Sequence, residues 1–205
     1  MVTPVKDKEI KKKKILRTLM PFKELEAKKK SEGKKKKKVI DENGFTKIHN
    51  GITSDSGASD TVAPDDVFGD YPLEDSPGSL ASVWYVGAGG ERIKNQGQRC
   101  ILVLTREKHL RWMTVQVAKV KKMLGSVSKN NDCGQRVVFD EDESFIQDKA
   151  TGTKVALDRT KGVFRYDAWA VPHAMIRKGQ ITYFDEHGES VTVLVNREAS
   201  FTRKG

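Results

Sequence analysis

The fold class this sequence predicts is all-β, with a barrel-like or sandwich body. Three observations lead there. From Val39 onward, short runs rich in β-branched and aromatic residues recur along the chain. Turn signals built from Gly, Asn and Asp separate these runs at close intervals. Helical periodicity is nearly missing, and Lys121–Asp132 is the one body segment that suits a short helix.

Taken in order, "VIDENGFTKI" places Asn43-Gly44 between apolar flanks, a hairpin signal. "SVWYV" (Ser82–Val86) is rich in β formers and runs into Gly87-Ala88-Gly89-Gly90. "CILVLT" (Cys100–Thr105) is a continuous apolar run, which suits a strand covered on both faces. "RWMTVQVAKV" alternates, with Met113, Val115 and Val117 on one face and Thr114 and Gln116 on the other. Beyond it, "RVVF" and "SFIQ" flank an acidic turn at Asp140–Glu143, and "QDKATGTKVAL" turns at Thr151-Gly152. "GVFRYDAWAV" (Gly162–Val171) alternates until Pro172 ends it, and "QITYFDEHGESVTVLV" reads as a last hairpin pivoting near His187-Gly188. No internal repeat is visible.

The chain has 205 residues, enough for one domain with a real core plus appendages, or for two small domains. Its net charge of +10 is unevenly placed. Residues 1–40 hold sixteen Lys/Arg against five acids, a local charge of +11, so the remainder carries −1. Residues 1–38 therefore read as a flexible, disordered lysine-rich arm on a near-neutral body. Within it, Ile15, Leu16, Leu19 and Met20 have helical spacing that Pro21 interrupts, and the run Lys34, Lys35, Lys36, Lys37, Lys38 repels itself into an extended form. Nuclear targeting, nucleic-acid contact and, less so, anionic membrane surfaces are the uses such an arm suits. Two cysteines, Cys100 and Cys133, and four scattered histidines make no zinc site; one disulfide is compatible with the sequence but nothing demands it. No apolar run has the length of a membrane span, and no secretory signal follows Met1. These features lead us to expect a soluble intracellular chain, cytoplasmic or nuclear, without metal or organic cofactor.

The stretch "GITSDSGASDTVAP" (Gly51–Pro64) holds the strongest chemical candidate. Metal-free peptide hydrolysis needs a base to activate water and an acid to polarise the carbonyl, and two facing carboxylates that share one proton supply both. Asp55 offers one carboxylate; Gly57 allows close backbone approach, the Ser56 hydroxyl can bond across to a partner loop, and Ala58 leaves room for substrate. Some thirty residues on, "WYVGAGGERI" suits a mobile hairpin lid with glycine hinges. A plain solvated loop and a structural hairpin turn are the ordinary readings of the same residues. A phosphate loop is disfavoured because Gly87-x-Gly89 lacks its third glycine (Arg92 stands there) and no helical pattern follows. Ser56 is not in a Gly-x-Ser-x-Gly elbow.

"SDSGASDTV" resembles the active-site loop of retropepsins, the aspartic proteases of retroviruses and LTR retrotransposons. "VGAGGERIKNQGQRCILVL" resembles their flap hairpin and the strand after it. "VQVAKVKKMLGSVSKNNDCGQRVVFDEDESFIQDKATGTKVAL" is similar to the end of copia-type proteases, with an "I-x-D-x-x-T-G" strand, and "RTKGVFRYD" to the Gly-aromatic strand linking protease to integrase. The resemblance covers roughly residues 52–171 and consists of several motifs in order. It implies a small retropepsin-like barrel with one short helix and extra C-terminal β-hairpins. The expected divisions are the arm at 1–38, a protease domain at 39–134, and a β-rich extension at 135–205 whose first part, 135–171, is linker-like.

The resemblance also implies roles for individual residues. Asp55 would be the catalytic aspartate, Ser56 the inter-subunit hydroxyl and Gly57 the loop-shaping glycine. Ala58, Asp60 and Val62 would line the substrate cleft, and Gly87, Ala88, Gly89 and Gly90 would form the flap. With one Asp-Ser-Gly per chain, the second carboxylate comes from a second copy, so the expected species is a C2 homodimer acting on a polypeptide substrate. The sequence departs from the pattern in three places. Ser59 and Ser126 stand where retroviral members carry an acid and an Arg, which fits the copia-like form, and Ser54 stands where an apolar residue is usual. The alternative function is an inactive retroelement relic: a β-domain that binds nucleic acid or a partner through its basic arm.

Overall fold

In the computed structural model, residues 39–195 are described; the arm at 1–38, including Lys34–Lys38 and the amphipathic stretch, lies outside them. Among the described residues the chain is all-β. It runs β1 (Thr46–Lys47), β2 (Ile52–Asp55), β3 (Val62–Pro64), α1 (Pro77–Leu80), β4 (Trp84–Val86), β5 (Arg92–Thr105), β6 (Leu110–Ala118), β7 (Leu124–Ser126) and α2 (Val127–Asp132). After these come β8 (Gln135–Val138), β9 (Phe145–Asp148), β10 (Lys154–Ala156), β11 (Asp158–Thr160), β12 (Val163–Tyr166), β13 (Ala168–Ala170), α3 (His173–Ile176), β14 (Gln180–Phe184) and β15 (Ser190–Leu194).

One ten-stranded sheet organises the body, in the order β1-β13-β5-β6-β3-β7-β2-β12-β11, with β4 paired to β5. It curls into a half-barrel whose edge strands are β1 and β11. A three-stranded sheet, β10-β9-β8, and the β14–β15 hairpin complete the β-structure. The core packed on the large sheet buries Phe45, Ile52, Ile101, Val103, Leu104, Val115 and Met123, with Val171 and Ile181 from the C-terminal part. Within the apolar run Cys100–Thr105 of β5, Ile101, Leu102, Val103, Leu104 and Thr105 are all buried, as its composition predicts, and Cys100 is partly so. β6 keeps the predicted alternation, Val115 and Val117 inward and Thr114 exposed.

Three turn predictions coincide with the structure for stated reasons. Gly44 takes a positive φ between Ile40 and Thr46, which bridge, and the Asp41 carboxylate accepts the N–H groups of Asn43 and Phe45. Gly188 turns β14 into β15. In the Ile146-Gln147-Asp148-Lys149-Ala150-Thr151-Gly152 segment, Asp148 accepts the N–H groups of Ala150 and Thr151 while Gly152 takes the left-handed conformation. Those backbone donors, followed by Arg111, hold the Asp148 carboxyl below its usual range. The residues of this motif are thus accounted for by turn chemistry.

The structure corrects two expectations. There are three short helices among the described residues rather than one. The predicted one is α2; α1 begins at a capping box in which Ser76 and Ser79 each bond the other's backbone N–H, and α3 follows Pro172. The alternating segment Gly162–Val171 is two strands, broken at Asp167, which pairs with Lys47 at 2.7 Å. β12 lies against β2, while β13 lies between β1 and β5. Segment 135–205, expected as an extension, therefore supplies β11, β12 and β13 to the same sheet that holds β2.

Candidate functional site

The candidate site begins where β2 ends. β7 inserts between β2 and β3, parallel to β2 (Ser54↔Gly125, Asp55↔Ser126) and meeting β3 at Val62↔Leu124. Loop 56–61 must therefore arch over the end of β7 to join the two strands. This insertion is tight: a methyl group on Gly125 would lie 3.1 Å from Ile52 Cγ2. Asp55 is partly exposed at the foot of the arch, and Ser56 and Gly57 are exposed on it. The Gly57 N–H donates to Asp55 Oδ1 at 2.8 Å, so the carboxylate is oriented by its own turn.

Ser126, fully buried at the end of β7, holds the arch from below. Its hydroxyl donates to the Ala58 carbonyl at 2.6 Å and, as the N-cap of α2, accepts from Lys129 N. Having spent its proton on Ala58, Ser126 Oγ accepts from Ser128 Oγ at 2.9 Å. Its backbone N–H bonds Thr61 Oγ1, and Gln116 N donates to Thr61 O. A buried hydroxyl thus holds the loop.

The glycine hairpin meets the arch through one side chain. β4 pairs with the start of β5 (Tyr85↔Ile93), and Gly87, Ala88, Gly89 and Gly90 form the connecting turn, closed by Gly90 N to Gly87 O with Gly90 at φ +81. Trp84 (50 % exposed) and Val86 (73 %) face outward, and Tyr85 lies on the opposite face. Its hydroxyl donates to Asp60 Oδ2 at 3.2 Å and accepts from Asn95 Nδ2 at 3.1 Å. Burial, then the Asp60 charge, push the Tyr85 phenol well above its ordinary pKa, so it stays a donor. Lys129 Nζ lies 3.9 Å from the other Asp60 oxygen.

No family model matches the chain, and neither curated proteins nor solved structures gave a match.

The residues singled out from the sequence are thus placed as follows. Asp55, Ser56, Gly57, Ala58 and Asp60 share one arch, and Tyr85 ties the Gly87–Gly90 hairpin to it. Val62 is buried in β3. Sequence reasoning did not single out Tyr85, Asn95 or Lys129. A signal existed for the middle one: Asn is disfavoured inside strands, and Asn95 followed by Gly97 marks a bulge. Among the described residues no group of three or more His, Cys, Asp or Glu could hold a metal ion, and no helix is long and apolar enough to cross a membrane.

A cavity of about 420 Å³ is lined by Asp60 and Lys129 and by residues of β5, β6, α2, β12 and the β8–β10 sheet. Both cysteines line it as thiols. Neither Asp55 nor the Gly87–Gly90 turn lines it.

Ser54 is the anomaly of β2. It is 8 % exposed, shares the inward face with Ile52, and its hydroxyl has no hydrogen-bond partner. An unsatisfied buried hydroxyl costs about 1–3 kcal/mol. Ser54→Ala is expected to raise stability by about 1 kcal/mol, a shift of about 2–4 °C in Tm for a chain of this size. A thermal melt checks it, and a lowered midpoint would show that the hydroxyl is bonded.

Proposed function

We propose that this chain is an aspartic endopeptidase of retropepsin type, from an LTR retroelement of the copia kind, that cleaves polypeptide bonds as a C2 homodimer. The observation that carries the reading is the arch itself. Asp55 stands at the end of a buried strand, oriented by Gly57 and held from below by Ser126. A glycine-tipped hairpin is bonded to the same loop through Tyr85. The resemblance of "SDSGASDTV" and the motifs after it supplies the chemistry this geometry suits.

A peptide in extended conformation would lie between hairpin and arch as an added strand. One Asp55 carboxylate, ionised, takes a proton from water; the other, protonated, donates to the scissile carbonyl as it becomes tetrahedral. The proton taken from water then passes to the leaving amine as the C–N bond breaks, while a hydroxyl of the tetrahedral intermediate returns its proton to the other carboxylate, which restores the single shared proton. Asp55 Oδ1 is bonded to Gly57 N–H, which leaves Oδ2 for water.

The test is hydrolysis of a polyprotein-derived peptide library by the purified chain, with inhibition by a statine-type transition-state mimic and sedimentation to follow the dimer. A chain that stays monomeric at every concentration while cleaving peptides would sink the two-copy site.

A second reading rests on composition: the sixteen cations in residues 1–40 suit a phosphate backbone. It is compatible with the first, since the arm could hold a protease near a ribonucleoprotein. Replacing Lys34 to Lys38 together by Gln in the full chain should weaken RNA binding and flatten the dependence of log K on log salt by about 3–5. Fluorescence anisotropy at several salt concentrations measures it, and an unchanged slope removes the lysine run from the interface.

A further inference from the structure

We propose that Tyr85 is a positioning residue for this site, a latch whose hydroxyl fixes the closed height of the glycine hairpin by bonding Asp60 in the arch that carries Asp55. The proposal rests on the aspartic-protease reading for its kinetic consequence, while the latch itself is a property of the fold.

The hairpin has a rigid base. Asn95, 2 % exposed, bonds Val83 O through its backbone N–H. Just beyond it the β5–β6 register slips between Asn95 and Gly97. Gly97 sits at φ +131, and a methyl group there would lie 2.5 Å from the Glu74 carbonyl oxygen. Glu74 and Gln98 exchange two backbone hydrogen bonds at 2.9 and 2.8 Å, which pin the bulge to the loop before α1. Above this base, residues 84–94 pair only with one another. Their position over the arch therefore depends on whatever reaches across, and among the described residues the Tyr85–Asp60 bond is the hydrogen bond that does so.

The polarity of that bond is fixed from behind. The Gly97 N–H donates to Asn95 Oδ1 at 2.9 Å, which settles the orientation of the Asn95 amide. Asn95 Nδ2 must then be the group facing Tyr85, and it also donates to Gln116 Oε1 at 2.9 Å. Because Asn95 presents a donor, the Tyr85 oxygen accepts there and its proton is committed to Asp60. A one-way chain results: Gly97 N–H, Asn95 amide, Tyr85 hydroxyl, Asp60 carboxylate. It begins at the bulge and ends in the arch. Asp60 is the node, with the hairpin on one oxygen and Lys129 of α2 on the other. Tyr85→Phe would keep the ring and lose the hydrogen bond to Asp60 Oδ2.

Amide-resolved hydrogen exchange on the full chain reads the latch without reference to proteolysis. The probes are Gly87 N–H, bonded to Glu91 O, and Gly90 N–H, bonded to Gly87 O. Tyr85→Phe and Asp60→Ala are each expected to speed their exchange about tenfold. Asp60→Asn keeps an acceptor oxygen for Tyr85 and should stay within about twofold of the parent, a rescue that a general packing defect would not show. In peptide hydrolysis, Tyr85→Phe is expected to raise KM about tenfold with kcat changed less than threefold. Exchange unchanged in both Tyr85→Phe and Asp60→Ala overturns the latch. Faster exchange with unchanged KM overturns the positioning role. If the parent chain cleaves no peptide, the protease reading fails, and the exchange results alone decide the latch.

Discussion

Asp55→Asn should abolish peptide hydrolysis, with a loss of about 10³-fold or more, and leave the fold intact. The second half of that expectation follows from the structure of the turn. The oxygen of Asp55 that accepts the Gly57 N–H at 2.8 Å has its counterpart in an Asn side chain, so the turn keeps its hydrogen bond. The first half follows from proton accounting. An amide neither takes a proton from water nor gives one to a carbonyl, and in a homodimer the substitution removes both members of the pair. General acid–base catalysis is worth about 10²–10⁴-fold per group. Two carboxylates about 3 Å apart repel by roughly 5 kcal/mol at an effective dielectric near 20. That is about four pKa units, which keeps one protonated while the other is ionised. Initial rates with a fluorogenic peptide, set beside circular dichroism and a thermal melt of the variant, test both halves. Hydrolysis that survives at parental rate in Asp55→Asn removes Asp55 from the chemistry.

Local signals in the sequence carried the fold as far as individual strands. The alternation in β6, the apolar run in β5 and the turns at Gly44, Gly152 and Gly188 depend on neighbouring residues, and the structure places them as expected. Pairing partners were not legible. β7 slots between β2 and β3 although some seventy residues separate Ser54 from Gly125, and β12 covers the outer side of β2 from more than a hundred residues away. Nothing in "LGS" or "VFRY" states which edge will accept it, because a strand's partner is chosen by packing in three dimensions. The break at Asp167 was hidden for the same reason. The alternation passes through it unbroken, but the chain changes partner there, from β2 to β5, and Asp167 pairs with Lys47, 120 residues distant.

The candidate site divides along the same line. Asp55-Ser56-Gly57-Ala58 is contiguous and carries its chemistry in its residue types. The parts that hold it are remote: Ser126 lies 68 residues from Ala58, and Tyr85 25 from Asp60. Ser126 shows how a residue's part becomes intelligible only in three dimensions: one hydroxyl at the end of β7 caps α2 and bonds the arch together.

Gly57→Ala should leave the chain as stable as its parent and cost about 100-fold in hydrolysis. Within a single chain, nothing requires glycine at this position. Its φ is outside the left-handed region, and a methyl group there meets one atom within 4 Å, Asp55 Oδ1 at 3.4 Å, which is ordinary contact. Elsewhere in the same molecule the need for glycine is plain, as at Gly51, where a methyl group would lie 2.5 Å from the Tyr166 carbonyl oxygen. On folding, the substitution should be neutral or stabilise by about 0.4–1 kcal/mol, since alanine restricts the unfolded chain. On the proposed two-copy site, the need for glycine at position 57 lies between chains rather than within one. If two arches meet across a two-fold axis so that their Asp55 carboxylates share a proton, the adjacent Gly57 residues approach as well. Two added methyl groups would hold the arches apart, and a misplacement of about 1 Å in a catalytic pair costs about 10²-fold. The comparison to make is a thermal melt, a sedimentation profile and a rate, all on the same preparation. Stability unchanged with activity lost locates the constraint between chains. Full activity in Gly57→Ala would mean that the arches do not meet, and the second carboxylate would have to be sought within the chain, where Asp60 is the other acid on the arch.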